Sequence, residues 1–166
     1  MEYNSCFDII GPIMVGPSSS HTAGAVTIGN FVYQILNGVP DRVEITFFGS
    51  FSQTYRGHGT DKAIIGGLLG MGTDDLRIKQ ALELAEEHGM KMMFRLEEEC
   101  PYFDHPNTVL IRAEKGKESV VVGGVSLGGG LSKVFLIDEI QVDIPLNAPR
   151  SVVLHKGNLT RKIHFR

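Results

Sequence analysis

The chain has 166 residues, 42% of them hydrophobic and 21% charged, with a formal net charge of −3, the ordinary make-up of one globular domain. No basic stripe points to a nucleic-acid partner, no run nears the ~18 apolar residues that span a bilayer, and no basic segment leads into a long apolar one at the N-terminus, so a cytoplasmic location is expected. The two cysteines, Cys6 and Cys100, stand far apart, which excludes a disulfide framework, a CxxC metal site and a thiolate-ligated cluster built by this chain alone.

The first motif in chain order is Gly16-Pro-Ser-Ser-Ser-His-Thr-Ala-Gly24, which gathers Ser18, Ser19, Ser20, His21 and Thr22 between backbone breakers. A helix N-terminus has free N–H groups and a partial positive charge, so hydroxyls and an imidazole collected there can hold a carboxylate or phosphate. Helix capping by Ser or Thr accounts for the same residues. Ala25, Ile28, Val32 and Ile35 or Leu36 then recur every three or four residues, predicting a helix over 22–36 that Gly38 and Pro40 stop. Val43, Ile45 and Phe47 alternate with Glu44, Thr46 and Phe48 in a strand that runs toward Gly49 and Ser50. Ser52 to Gly59 is a polar loop, after which Thr60 and Asp61 are placed to cap a second helix with Ile64, Gly67, Leu68 and Met71 on its apolar face. A third helix is predicted from Thr73 or Asp74, carrying Ile78, Ala81, Leu82 and Ala85 and ended by Gly89.

Beyond Gly89 the period changes to two. Met90, Met92, Phe94 and Leu96 alternate with Lys91, Arg95 and Glu97; Val109, Ile111 and Ala113 lead to a turn at Lys115-Gly116; Val120–Val125 and Val134–Val142 supply two more strands. Pro145 to Pro149 has the make-up of a linker, Ser151 to His155 of one extra strand, and Lys156 to Arg166 of a polar tail. Helices early and strands late predict the α+β class, with a mixed, largely hairpin-connected β-sheet covered by helices.

Three further motifs join glycine or proline to a functional side chain: Tyr55-Arg-Gly-His-Gly-Thr-Asp-Lys62, His105-Pro-Asn-Thr108 and Ser126-Leu-Gly-Gly-Gly130. His58 lies between two glycines ahead of a helix, where little neighbouring bulk shields its ring, and an imidazole suits proton abstraction near neutral pH. A surface histidine in a glycine turn has the same local sequence. His105 and Asn107 offer a ring nitrogen and an amide on a backbone stiffened by Pro106. Gly128 to Gly130 permit positive φ and open N–H groups, as an anion nest or a bulged strand crossing requires, and Ser126 is at most an accessory ligand. A hydrolase triad is disfavoured because no Gly-x-Ser-x-Gly elbow occurs. Zinc held by His21, His58, His105 and Asp104 or Asp61 is disfavoured because those residues lie on three separate loops without short ligand spacing.

Taken together, Phe7 to Gly24, Gly49-Ser-Phe51, Gly57-His-Gly-Thr-Asp61, His105-Pro-Asn-Thr108 and Ser126-Leu-Gly-Gly-Gly130, in this order, resemble the β chain of the bacterial iron–sulfur L-serine dehydratases, over residues 3 to about 155. The resemblance implies a lyase of serine catabolism and gluconeogenesis made of two parts. An α chain would hold a 4Fe-4S cluster through three cysteines, and the β part would close over it, converting L-serine to pyruvate and ammonia. The iron without a cysteine ligand is implied to polarise the substrate, which makes an ordinary imidazole a sufficient base. By matching motifs, His58 resembles the family's catalytic base. Ser18, Ser19, Ser20, His21, Thr22 and Asn107 resemble groups lining the substrate cleft, and Gly59, Thr60 and Asp61 are grouped with them; no metal ligand is assigned to this chain. Implied partners are the α chain, L-serine and a second copy in a homodimer. The implied fold resembles the allosteric substrate-binding domain of some phosphoglycerate dehydrogenases. Residues 1–145 then form the β domain, and 146–166 a linker and the stump of an ACT-like module in a truncated or naturally short form. Two alternatives stand beside this reading: a non-catalytic regulatory module that binds serine or an anion, and a structural subunit whose glycine loops only dock a partner.

Overall fold

The computed structural model describes residues 13–16, 18–146, 150–156 and 159–165. After a π-helical turn at Ser19–Ala23 come α1 (Gly24–Leu36), β1 (Arg42–Gly49), α2 (Ser50–Thr54), α3 (Thr60–Leu68), a 3-10 turn (Leu76–Gln80) and α4 (Ala81–Glu87). The strands that follow are β2 (Lys91–Glu97), β3 (Asn107–Lys115), β4 (Glu118–Gly128), β5 (Leu131–Ile137), β6 (Ile140–Pro145), β7 (Arg150–Lys156) and β8 (Leu159–Phe165). Strands β1 to β6 form one sheet in the order β2-β1-β3-β4-β5-β6. The β1–β2 pair is parallel, linked through the helical crossover, and the other neighbours are antiparallel. This is the α+β class with a mixed, hairpin-rich sheet that the element order implies. None of the described helices is long and apolar enough to cross a membrane.

The helices bury their apolar stripes on one sheet face. Ile28, Phe31 and Val32 of α1 and Ile64, Ile65 and Leu68 of α3 meet Val43, Ile45 and Phe47 of β1 and Val109 and Ile111 of β3, all buried in one cluster. Each such side chain contributes about 1.5–3 kcal/mol of transfer free energy. Glycine sets how closely the layers approach. A Cβ at Gly67 would lie 2.2 Å from the Val26 carbonyl, and one at Gly29 2.3 Å from that of Ile64, so α1 and α3 cross backbone to backbone. On β4, a Cβ at Gly124 would lie 2.6 Å from Ile28, and one at Gly123 2.5 Å from Phe135 on the other face. That second face carries a smaller cluster of Phe48, Leu110, Val125, Phe135 and Leu136, with Phe103 stacked on Phe135 at 4.9 Å.

Several local expectations are corrected. Ser52 to Gly59 is not all loop, because α2 occupies its first half. Thr60 and Asp61 do not cap α3: its N-cap is Gly59 in the left-handed region, the Thr60 hydroxyl has no partner among the described residues, and Asp61 Oδ1 accepts from the Lys62 N–H. The third helical segment starts after Asp75, whose carboxylate takes the Arg77 N–H, and its first part is 3-10. Val134–Val142 is two strands, broken where Asp138 adopts φ 52 and turns the chain back. Such a turn needs a residue that tolerates the left-handed region, and Asp does so better than the β-branched residues around it. The C-terminal stretch is not a bare polar tail, since β8 pairs with β7 from Lys156↔Leu159 to Arg150↔Phe165. Residues 147–149 of the expected linker lie outside the described residues.

Candidate active site

Antiparallel pairing puts the end of β1, the start of β3, the end of β4 and the start of β5 at one end of the sheet. Gly49 stands opposite Asn107, Thr108 opposite Val125, and Ser126 opposite Ser132. The N-terminus of α1 comes to the same end: the Ser126 hydroxyl packs on Gly24, where a Cβ would lie 2.1 Å from it. Four separate motifs thus meet at one end of the sheet.

The π turn lifts Ser18, Ser20 and His21 together. The Thr22 N–H donates to the Ser18 carbonyl at 2.8 Å, and His21 Nδ1 has Ser18 Oγ at 3.2 Å and Ser20 Oγ at 3.1 Å. On its other side, His21 Nε2 has Ser50 Oγ at 3.4 Å. Ser50 reaches it because Gly49, at φ 54, turns the end of β1 sharply into α2. The same glycine admits Pro106, whose Cα would lie 2.8 Å from a Cβ there, while the Phe51 N–H donates to the Pro106 carbonyl. The His21 ring also meets Phe51 edge-on at 5.1 Å and His58 at 4.6 Å with 81° between the ring planes. His58 is half-buried in the turn between α2 and α3, its N–H bonded to the Thr54 carbonyl at 2.9 Å, and its Nδ1 is buried without a partner among the described residues.

Most of the sequence-derived candidates therefore converge. Ser18, Ser20, His21 and His58 are in direct contact, Asn107 stands opposite Gly49, and Gly59, Thr60 and Asp61 follow His58 into α3. Ser19 lies in the same turn, its side chain outside the described residues. Thr22 is buried back against Gly16, 2.3 Å from where a Cβ there would stand. Ser50 had no role assigned, although a Gly-Ser step at the end of a predicted strand marks a sharp turn into a polar segment. His105 serves its own loop, its Nδ1 accepting the Asn107 N–H at 3.1 Å. Gly128, Gly129 and Gly130, with φ of 93, 61 and 82, form the β4–β5 turn beside a register shift, the bulged crossing among the two readings.

The end of the sheet is rich in unsatisfied polarity. The hydroxyls of Thr22, Thr60, Ser126 and Ser132, the amide oxygen of Asn107 and Nδ1 of His58 are buried without hydrogen-bond partners among the described residues. Leaving such groups unpaired costs about 1–3 kcal/mol each, a cost a bound polar molecule or water offsets. Burial, and then the nearby His58, hold the His21 pKa below the ordinary imidazole range. Burial also lowers His105, against the pull of Asp104. The Asp61 carboxyl is pushed up by burial, opposed by the Lys62 N–H and by the charges of Lys62 and Arg56.

These shifts set a sign for stability against pH. Both histidines have folded pKa values below their unfolded ones, so their contribution is complete above about 6.5, where a free imidazole titrates, and is lost as pH falls toward the folded values. A proton on His105 Nδ1 would also break its bond to Asn107. Denaturant midpoints are expected to fall between pH 7 and 5, and less steeply in His105→Asn; an unchanged slope in that variant would remove His105 from the account. Asp61 has the opposite sign, gaining relative stability as acid protonates it.

The family model described as serine dehydratase beta chain matches residues 5–134. The probable L-serine dehydratase, beta chain, of Bacillus subtilis (strain 168) is 45% identical over 93% of this chain and 70% of its own length. The L-serine dehydratase, beta chain, of Peptoniphilus asaccharolyticus is 44% identical over 84% of this chain and 63% of its own. An L-serine dehydratase of Helicobacter pylori is 30% identical over 79% of this chain, which there corresponds to 32% of the relative. Since the matched span takes in the π turn, the His58 loop, the Asn107 turn and the Ser126 strand end, the chain belongs to the serine dehydratase beta chain family.

Proposed function

We propose that this chain is the β half of an iron–sulfur L-serine dehydratase, with His58 taking the α-proton of L-serine as the hydroxyl leaves. Loss of water gives the enamine, which tautomerises and hydrolyses to pyruvate and ammonia. The observation that carries the reading is the meeting of His58 with the Ser18–Ser20–His21 turn at one polar end of the sheet. The relatives' printed names supply the substrate and the reaction.

The α-proton of an amino acid is too weakly acidic for an unaided imidazole, so the developing charge must be stabilised. Among the described residues no three His, Cys, Asp or Glu side chains come together to hold a metal ion, and two cysteines do not fit a cluster with three thiolate ligands. We assign the cluster to an α chain, as the resemblance to the family implies. When bound there it supplies a Lewis acid for the substrate's oxygen atoms. The work left to this chain is to hold the substrate and accept the proton. The hydroxyls of Ser18, Ser20 and Thr60 and the amide of Asn107 supply polar groups for a small zwitterion, and His58 supplies the acceptor.

Mixing the purified chain with a cluster-loaded α chain under anaerobic conditions is expected to form pyruvate from L-serine, followed by a coupled reduction of the product. A verified cluster with no turnover would overturn the reading. The regulatory-module alternative draws on the same polar groups and is separated by calorimetry: heat of L-serine binding to this chain alone favours the module, and silence favours half of an active site.

A further inference from the structure

We propose that His21 and Ser50 are positioning residues: Ser50, with Ser18 and Ser20, locks the His21 ring, and the locked ring braces His58. The proposal rests on His58 being the base. A neutral imidazole has one N–H and one bare nitrogen to offer. Both positions of His21 face hydroxyls of this chain, Nδ1 toward Ser18 and Ser20 and Nε2 toward Ser50. Its nitrogens are thus committed before any substrate arrives, and what remains is its bulk, held between Phe51 at 5.1 Å and His58 at 4.6 Å.

His58 needs such a brace. It stands between Gly57 and Gly59, the latter at φ 69, so no adjacent side chain restricts its ring, and its Nδ1 has no hydrogen-bond partner among the described residues. A base displaced by an ångström loses much of its rate. A ring fixed by hydroxyls at both nitrogens and set edge-on to His58 supplies the missing restraint, and Ser50 makes that restraint depend on the turn at Gly49. The brace must also stay uncharged when His58 gains its proton. Burial favours neutral His21, and of the titratable groups on the elements around it, His58 is the one that acts on its charge, whereas Asp61 answers to Lys62 and Arg56.

The test uses the full chain labelled with 15N-histidine, alone and assembled with the α chain. Long-range 1H–15N correlation is expected to show one neutral His21 tautomer in the wild type and a mixture in Ser50→Ala. In the assembled enzyme, Ser50→Ala is expected to lower kcat roughly tenfold, the worth of one neutral hydrogen bond in the transition state, with KM unchanged. Ser50→Thr restores both readouts, and His21→Phe loses more than Ser50→Ala. A raised KM with unchanged kcat would make these residues substrate contacts, and a tautomer mixture in the wild type would remove the lock; either result overturns the proposal. If His21→Phe does not fold, the Ser50→Ala and Ser50→Thr pair decides. If the assembled wild type is inactive with its cluster intact, the dehydratase reading fails, and the tautomer measurement still judges the lock.

Discussion

Exchange of His58 for glutamine is expected to lower kcat of the assembled enzyme by about 10²–10⁴, the span that a general base contributes, while folding and assembly with the α chain persist. Nδ1 of the half-buried ring has no hydrogen-bond partner among the described residues, so an amide of similar length disturbs little that holds the fold. A second readout is independent of turnover. His58 is one of the two causes that depress His21, so the His21 titration in His58→Gln is expected to move up toward the free-imidazole range. A variant with full rate would transfer the base to another group.

The second large effect is structural and reaches the site through two helices. Gly67→Val places a Cβ about where the Val26 carbonyl and the Asn30 N–H already stand, 2.2 and 2.7 Å away. Those neighbours are helix backbone and cannot rotate aside, so α1 and α3 must part. Overpacking of this kind costs about 3 kcal/mol or more, a large share of the ~5–15 kcal/mol by which domains are stable. Because α1 carries the Ser18–His21 turn at its start and α3 follows His58 directly, the same displacement separates the two rings. Denaturant unfolding is expected to show a sharply lowered midpoint. The contrasting variant, Gly57→Ala, meets only the Thr54 carbonyl at 3.8 Å and is expected to change stability by no more than about 0.5 kcal/mol. Equal midpoints for Gly67→Val and wild type would mean that the helices do not cross through these glycines.

The two halves of the chain were legible to different degrees. The stripe of Ala25, Ile28 and Val32 and the alternation of Val43, Ile45 and Phe47 place α1 and β1 on one buried interface, and all six residues lie in the main core. Alternation alone put Phe48 with Glu44 and Thr46 on the outer face, and the structure buries it there beside Leu110 and Phe135. Break points were harder to see. Asp138 turns the chain inside an apolar run, Asp75 caps a 3-10 segment, and Gly49 starts α2 with a positive φ. Each depends on the backbone conformation of one residue, which a periodicity of side chains does not report.

The site divides along the same line. The identities of its groups and their order along the chain, from Ser18 through His58 to Asn107 and Ser126, were determined by the sequence, because hydroxyls, imidazoles and flanking glycines are properties of residues and their neighbours. Their convergence was decided by tertiary structure. Ser50 meets His21 across 29 positions of sequence, and Ser126 meets Gly24 across many more. Both meetings follow from the order β2-β1-β3-β4-β5-β6, which brings strand ends from distant parts of the chain to one edge, and from the glycine crossing of α1 and α3. Local composition can mark a residue as able to carry chemistry; only the packing of helices on a sheet decides which such residues come within hydrogen-bonding distance.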